Sequence, residues 1–136
     1  MDDIIRTMGV DHVGLAVRDL AASQKFFTNC LGWDLLGGKP DYPATFVGDG
    51  LTRITLWQVE DPGTAVGFDR RKNIGLHHLA LKVASRDQLD ELFTAMKDWP
   101  GVEIEFGPEP SGGGPKIHAM IYEPGGNRIE FAYDPR

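Results

Sequence analysis

Two histidines stand side by side near the middle of the chain, His77 and His78, at the head of the apolar run LALKV. A third, His12, opens a similar run in DHVGLAVR, and Glu130 lies inside the last one, NRIEFAY. In an extended strand successive side chains point to opposite faces. His12 then shares a face with Gly14 and Ala16, opposite Val13, Leu15 and Val17. His78 shares one with Ala80, while His77 points the other way, a neighbour of the site. In the final run Arg128, Glu130 and Ala132 lie opposite Ile129, Phe131 and Tyr133. The bulky faces pack under helices, so His12, His78 and Glu130 are expected to converge inside a curved sheet. Two imidazoles and a carboxylate bind a divalent transition metal and leave positions open for water or substrate. An inward carboxylate without such a partner would carry a large desolvation cost.

The elements that must place these residues occur twice. DHVGLAVR reads as a strand, Asp19 as the cap of the helix LAASQKFFTNCLG, and Gly32 as its stop. Three short strands follow, WDLLGG, ATFVGDG and TRITLWQV. In the second half HHLALKV is a strand and Ser85-Arg86-Asp87-Gln88 fits a capping box. Leu89, Leu92, Phe93 and Met96 then recur at helical spacing, and Pro100-Gly101 ends the helix. VEIEFGPE, KIHAMIYEP and NRIEFAY complete the pattern. Sliding one half over the other superposes His12 on His78 and Arg53-Ile54-Thr55-Leu56 on Arg128-Ile129-Glu130-Phe131. The chain is therefore read as one α+β domain over residues 1–136. It contains two tandem βαβββ modules, about residues 8–60 and 75–134, joined by a polar linker at about 60–74. The modules are expected to form a cupped eight-stranded mixed sheet with the helices outside.

Further residues could join the chemistry. His118 lies on KIHAMIY with Lys116, Met120 and Tyr122 on the same face, so His118 or Tyr122 could act as general acid/base or contact substrate. Thr55 and Trp57 share a face and, with Arg128, could line a substrate pocket. Arg70-Arg71-Lys72 reads chiefly as a solvated charge run. GPEPSGGGPK reads as a mobile loop beside the cup, and lacks the Ser or Thr a phosphate-cradling loop would need after its lysine. Cys30 reads as a small buried hydrophobe.

Composition narrows the classes. With 14 Lys and Arg against 20 Asp and Glu the formal charge is −6, against a nucleic-acid-binding role. One cysteine precludes an internal disulfide or a cysteine zinc cage within a chain. No apolar run approaches the ~20 residues of a membrane span. The opening MDDIIRTMGV is acidic and has no long apolar core of a secretory signal, so a cytoplasmic protein without membrane partners is expected.

The duplicated βαβββ pattern with D-H-V-G-L-A-V, G-L-H-H-L-A-L and E-P-G-G-N-R-I-E-F resembles the vicinal oxygen chelate superfamily over about residues 8–134. That superfamily includes glyoxalase I, methylmalonyl-CoA epimerase, fosfomycin-resistance thiol transferases, extradiol dioxygenases and bleomycin-binding proteins. The resemblance implies one divalent metal per site (Zn, Ni, Mn or Fe) on His12, His78 and Glu130, and a homodimer in which some relatives draw ligands from both chains. Glyoxalase I and the epimerase carry a fourth ligand, Glu or Gln, where this chain has Thr55; Gln58 falls on the opposite face. The three-ligand set resembles the thiol transferases and dioxygenases, whereas GLHH resembles the epimerase.

The leading expectation is a metal-dependent lyase or isomerase of the glyoxalase kind, chelating vicinal oxygens of a small substrate and stabilising an enolate or oxyanion. The alternatives are an Fe(II) extradiol-type dioxygenase, a thiol transferase of the antibiotic-resistance type, and a non-catalytic protein that sequesters a small molecule or antibiotic.

Overall fold

A computed structural model describes residues 4–136; the first three residues of the acidic N-terminal stretch lie outside the described residues. The first module comprises β1 (Val13–Val17), α1 (Leu20–Lys25), a π-helical turn (Phe26–Cys30), β2 (Asp34–Lys39), β3 (Ala44–Gly48) and β4 (Arg53–Gln58). The second comprises β5 (Leu79–Lys82), α2 (Arg86–Lys97), β6 (Glu103–Pro110), β7 (Ile117–Tyr122) and β8 (Arg128–Tyr133).

Local chemistry sets the boundaries. The Asp19 carboxylate accepts the Ala22 amide at 3.1 Å, and the Ser85 hydroxyl accepts that of Gln88 at 3.1 Å. Each satisfies a backbone donor that the first helical turn would leave unpaired. The π-turn brings Phe26 and Phe27 into the core edge-to-face, with ring centroids 5.4 Å apart. Gly32 then takes φ +72°, the left-handed stop that a side chain would strain.

The eight strands divide into two four-stranded sheets, ordered β1-β4-β3-β2 and β5-β8-β7-β6. Each is mixed, its first pair parallel and the others antiparallel. Gly14 pairs with Thr55 in one, and Ala80 with Glu130 in the other. The register therefore reproduces the superposition read from the sequence and makes Thr55 the counterpart of Glu130. Leu15, Val17, Ile54 and Leu56 pack with Phe26 and Phe27, and Leu81, Ile129 and Phe131 with Leu89 and Met96, in one hydrophobic core.

The Glu123–Asn127 turn locks the modules together. Asn127 Nδ2 donates to the Ala16 carbonyl at 3.0 Å and the Arg18 amide to that of Gly125 at 3.1 Å. Ser23 of α1 donates to the buried Glu123 carboxylate at 2.8 Å. Gly125 has no room for a side chain, since a Cβ there would lie 2.6 Å from Val17 Cβ.

One expectation about a loop needs correction. Residues 107–110 are not a mobile loop but the end of β6, because Gly107 lets the Phe93 ring lie flat on the strand; a Cβ there would sit 3.1 Å from Phe93 Cζ. The connection is only residues 111–116, closed by the Ser111 amide on the Lys116 carbonyl at 2.9 Å. Among the described residues no helix is long and apolar enough to cross a membrane.

Candidate metal centre

Glu130 projects from the centre of β8 onto the inner face of the second sheet and is buried. Its Oε1 lies 3.3 Å from His78 Nε2 and its Oε2 lies 3.3 Å from His118 Nδ1. Neither approach has hydrogen-bond geometry, and His118 Nδ1 is buried without a hydrogen-bond partner among the described residues. His118 is held there from β7 by its register against Ala132 and by the Phe106 ring, 4.8 Å from its own. A largely buried carboxylate thus sits between two imidazole nitrogens, and among the described residues no hydrogen bond is made to it.

His77 and His78 both precede β5, which begins only at Leu79. Strand alternation therefore does not govern them, and His77 does not point away as expected. Its Nδ1 stands 2.8 Å from His78 Nδ1 and 3.2 Å from Arg128 Nη1, on the same side as Glu130. Arg128 is buried and forks onto Glu105, its Nε donating to Oε1 at 2.9 Å and its Nη2 to Oε2 at 2.7 Å. Arg70 reaches the same carboxylate at 3.7 Å and donates to the Tyr122 hydroxyl at 3.4 Å. So Arg70 is no solvated charge, and Arg128 spends its three nitrogens on the protein itself. Desolvation first, then the Arg128 charge, holds the His77 imidazole below the ordinary histidine range. The hydrogen bonds from Arg128 hold the Glu105 carboxyl below its usual value.

Glu105 carries no site signal in the sequence, and Arg70 reads there chiefly as part of a solvated charge run. Alternation along VEIEF would set Glu105 opposite Ile104 and Phe106. A β-bulge between Ile104 and Phe106, which pair with Ile121 and Met120, instead places Glu105 against Arg128 and Phe106 against His118. A bulge has no periodic signature, and a long-range ion pair from a linker has none either. The lowered Glu105 pKa has a testable sign. A carboxylate with a lowered folded-state pKa adds stability above its unfolded value and loses it as pH falls through the folded one. Glu105→Gln is therefore expected to unfold at lower temperature than wild type near neutrality, with the gap closing below about pH 4.5. Thermal unfolding of both proteins from about pH 7 to about pH 3 measures it.

The equivalent face of the first sheet is built differently. Thr55 is buried and accepts a hydrogen bond from Trp57 Nε1 at 2.8 Å. Trp57 packs edge-to-face on Tyr42 at 4.7 Å and tilts against Phe46 at 6.1 Å. Gly14 opposes them because a Cβ would lie 3.2 Å from the Thr55 hydroxyl. This surface is an aromatic wall without an anionic ligand. Gln58 is on the helix side, where it accepts the Leu20 amide at 2.8 Å and donates to the Arg18 carbonyl at 2.7 Å. His12 lies just before β1, half exposed, with its Nδ1 2.6 Å from Asp11.

The donors around Glu130 suit a borderline divalent ion. A separation of 3.3 Å between His78 Nε2 and Glu130 Oε1 is close to the edge made by two ligands each about 2.1 Å from a shared ion. Among the described residues of a single chain, however, no three His, Cys, Asp or Glu side chains form a metal-holding group, so His12 does not join His78 and Glu130 there.

A family model, the Glyoxalase/Bleomycin resistance protein/Dioxygenase superfamily, matches residues 9–131. The chain belongs to this superfamily. It is 30% identical over 128 residues to the catechol-2,3-dioxygenase of Bacillus subtilis (strain 168), covering 90% of this chain and 41% of that protein. Among solved structures it superposes on a glyoxylase/bleomycin resistance protein/dioxygenase domain from Frankia sp. EAN1pec with TM-score 0.81 and 26% identity, over 96% of this chain and 95% of that one. A lactoylglutathione lyase from Agrobacterium tumefaciens shares the fold with TM-score 0.68 at 19% identity, over 94% and 95% of the respective chains. The two-module architecture is thus that of the glyoxalase superfamily. The chain spans less than half of the dioxygenase it resembles.

Proposed function

We propose that this glyoxalase-superfamily chain is a metal-dependent enzyme of the lyase or isomerase kind, acting on a small substrate with vicinal oxygens. The observation that carries the reading is Glu130, a buried carboxylate between two imidazoles to which no hydrogen bond is made among the described residues. Burial of an uncompensated carboxylate costs several kcal/mol, which a cation would offset. His78, Glu130 and His12 would hold one divalent ion, which when bound supplies Lewis acidity toward the substrate oxygens.

Because a single chain has no three-ligand group among its described residues, His12 is proposed to come from a second copy in a homodimer. In support, the stretch leading to His12 leaves Ile4, Ile5, Met8 and Val10 exposed, an apolar surface that a partner would cover. Thr55 is committed to Trp57, so proton transfer falls to the second module's own face. There His118 and Tyr122 are the acid/base candidates: the unpartnered His118 nitrogen lies beside Glu130, and Arg70 donates to the Tyr122 hydroxyl. Trp57 and its aromatic neighbours exclude water and wall the substrate.

Elemental analysis and titration with Zn²⁺, Mn²⁺ or Fe²⁺ test the reading directly. Wild type is expected to take up one ion per chain, and His78→Ala or His12→Ala none tightly; a wild type that takes up no divalent metal overturns it. Exchange of subunits between His12→Ala and His78→Ala dimers is expected to restore about one quarter of the sites, since each mixed dimer keeps one intact pair of contributions. No restoration would place the whole site in one chain.

A second reading, Fe(II)-dependent cleavage of a catechol, is favoured by the identity to a catechol-2,3-dioxygenase and by the neutral Thr55. Catechol consumption that appears with Fe²⁺ and with no other ion would select it.

A further inference from the structure

We infer that His77 is a positioning residue that fixes the tautomer of His78, putting the His78 proton on Nδ1 and leaving Nε2 bare toward Glu130. A guanidinium donates and never accepts. Arg128, anchored on Glu105 by two short hydrogen bonds, presents its remaining nitrogen to His77 Nδ1 at 3.2 Å. That ring nitrogen must therefore offer its lone pair, so the His77 proton is on Nε2.

His78 Nδ1 lies 2.8 Å from the same His77 nitrogen. Of two ring nitrogens at that separation one must carry a hydrogen, and His77 Nδ1 has none to give. His78 Nδ1 is the donor, sharing the acceptor with Arg128. Its Nε2 is consequently without a proton, 3.3 Å from a Glu130 oxygen. Two electron-pair donors face each other, the arrangement a cation needs and a proton-bridged pair would lack. An imidazole free in solution exchanges between tautomers; here the choice is made before any ion arrives. Partners that orient a ligating histidine are typically worth about 10- to 100-fold in metal affinity.

The bulge in β6 gains a purpose from this. It aims Glu105 at Arg128, which would otherwise be a buried cation free to rotate away from His77. Glu105, Arg128 and His77 thus act through His78, and none of them need touch substrate.

The tautomer itself does not depend on a metal, although its consequence for affinity rests on the function proposed above. Nitrogen-15 NMR of the histidine rings in metal-free protein reads it. In wild type His78 is expected to show a protonated Nδ1 and a bare Nε2. His77→Phe removes the acceptor but keeps a ring at an exposed position, and His78 should then shift toward the Nε2-protonated form. His77→Gln, which restores an acceptor oxygen, should return part of the wild-type signature. Titration with Zn²⁺ alone should show about 10- to 100-fold weaker binding for His77→Phe and partial recovery for His77→Gln. A wild-type His78 protonated at Nε2, or a tautomer unchanged in His77→Phe, overturns the inference. The expected tautomer in a protein that takes up no metal would sink the proposed function and leave this assignment standing.

Discussion

Glu123→Gln is expected to lower the free energy of unfolding by about 3 kcal/mol, although residue 123 contributes nothing to the metal centre. The carboxylate is 1% exposed and accepts from Ser23 Oγ at 2.8 Å, the Gly125 amide at 2.8 Å and the Asn127 side chain at 3.0 Å. Hydrogen bonds to a charged group are worth about 1.5–3 kcal/mol each, and a buried donor left without an acceptor adds its own desolvation penalty. The amide has only one acceptor oxygen, and its NH₂ would face donors. Because Ser23 belongs to the first module and Glu123 to the second, the loss falls on the contact between modules. Chemical denaturation read by tryptophan fluorescence measures it. Gly125→Ala, which must push Val17 aside, should be comparably damaging. A change below about 1 kcal/mol for Glu123→Gln would mean that the core and the remaining bonds of the turn join the modules without this carboxylate.

Glu130→Gln should do the reverse. This carboxylate is also buried, yet among the described residues no hydrogen bond is made to it and two imidazole nitrogens crowd its oxygens. Replacing it with a neutral amide removes an uncompensated buried charge and supplies a hydrogen for His78 Nε2. The metal-free variant is therefore expected to gain about 1 kcal/mol, roughly 3–5 °C in melting temperature for a domain of this size. At the same time it should lose tight metal uptake, so that added Zn²⁺ raises the melting temperature of wild type and leaves the variant unmoved. Calorimetric scans of both proteins, with and without the ion, separate the two effects. If Glu130→Gln instead melted well below wild type without metal, Glu130 would be a structural residue like Glu123, and the metal centre would lose its principal support. Two glutamates seven residues apart thus carry opposite expectations, decided by the presence or absence of donors.

How far the sequence reaches is clear from these residues. The repeat was legible because it rests on periodic and local signals: alternating apolar residues in DHVGLAVR and NRIEFAY, helical spacing in α2, and caps at Asp19 and Ser85 that need only residues three positions away. Register followed from the repeat, and with it the equivalence of Thr55 and Glu130. The same repeat aligned His78 with His12, and His78 and Glu130 do meet on one surface.

What the sequence could not carry is whatever depends on a break in periodicity or on partners distant along the chain. His77 faces Arg128 because β5 starts two residues later than alternation assumes, and Glu105 meets the same arginine because a bulge shifts β6. Arg70 crosses from the linker to Glu105, 35 residues on, and His12 stands apart from the pair it was expected to complete. The sequence by itself determined the two modules and the faces of the regular strands, since these follow from spacing, and its motifs carried the resemblance to the superfamily. Only the tertiary structure decided which of two buried glutamates is hydrogen-bonded and which is bare, because that is settled by donors brought from other elements.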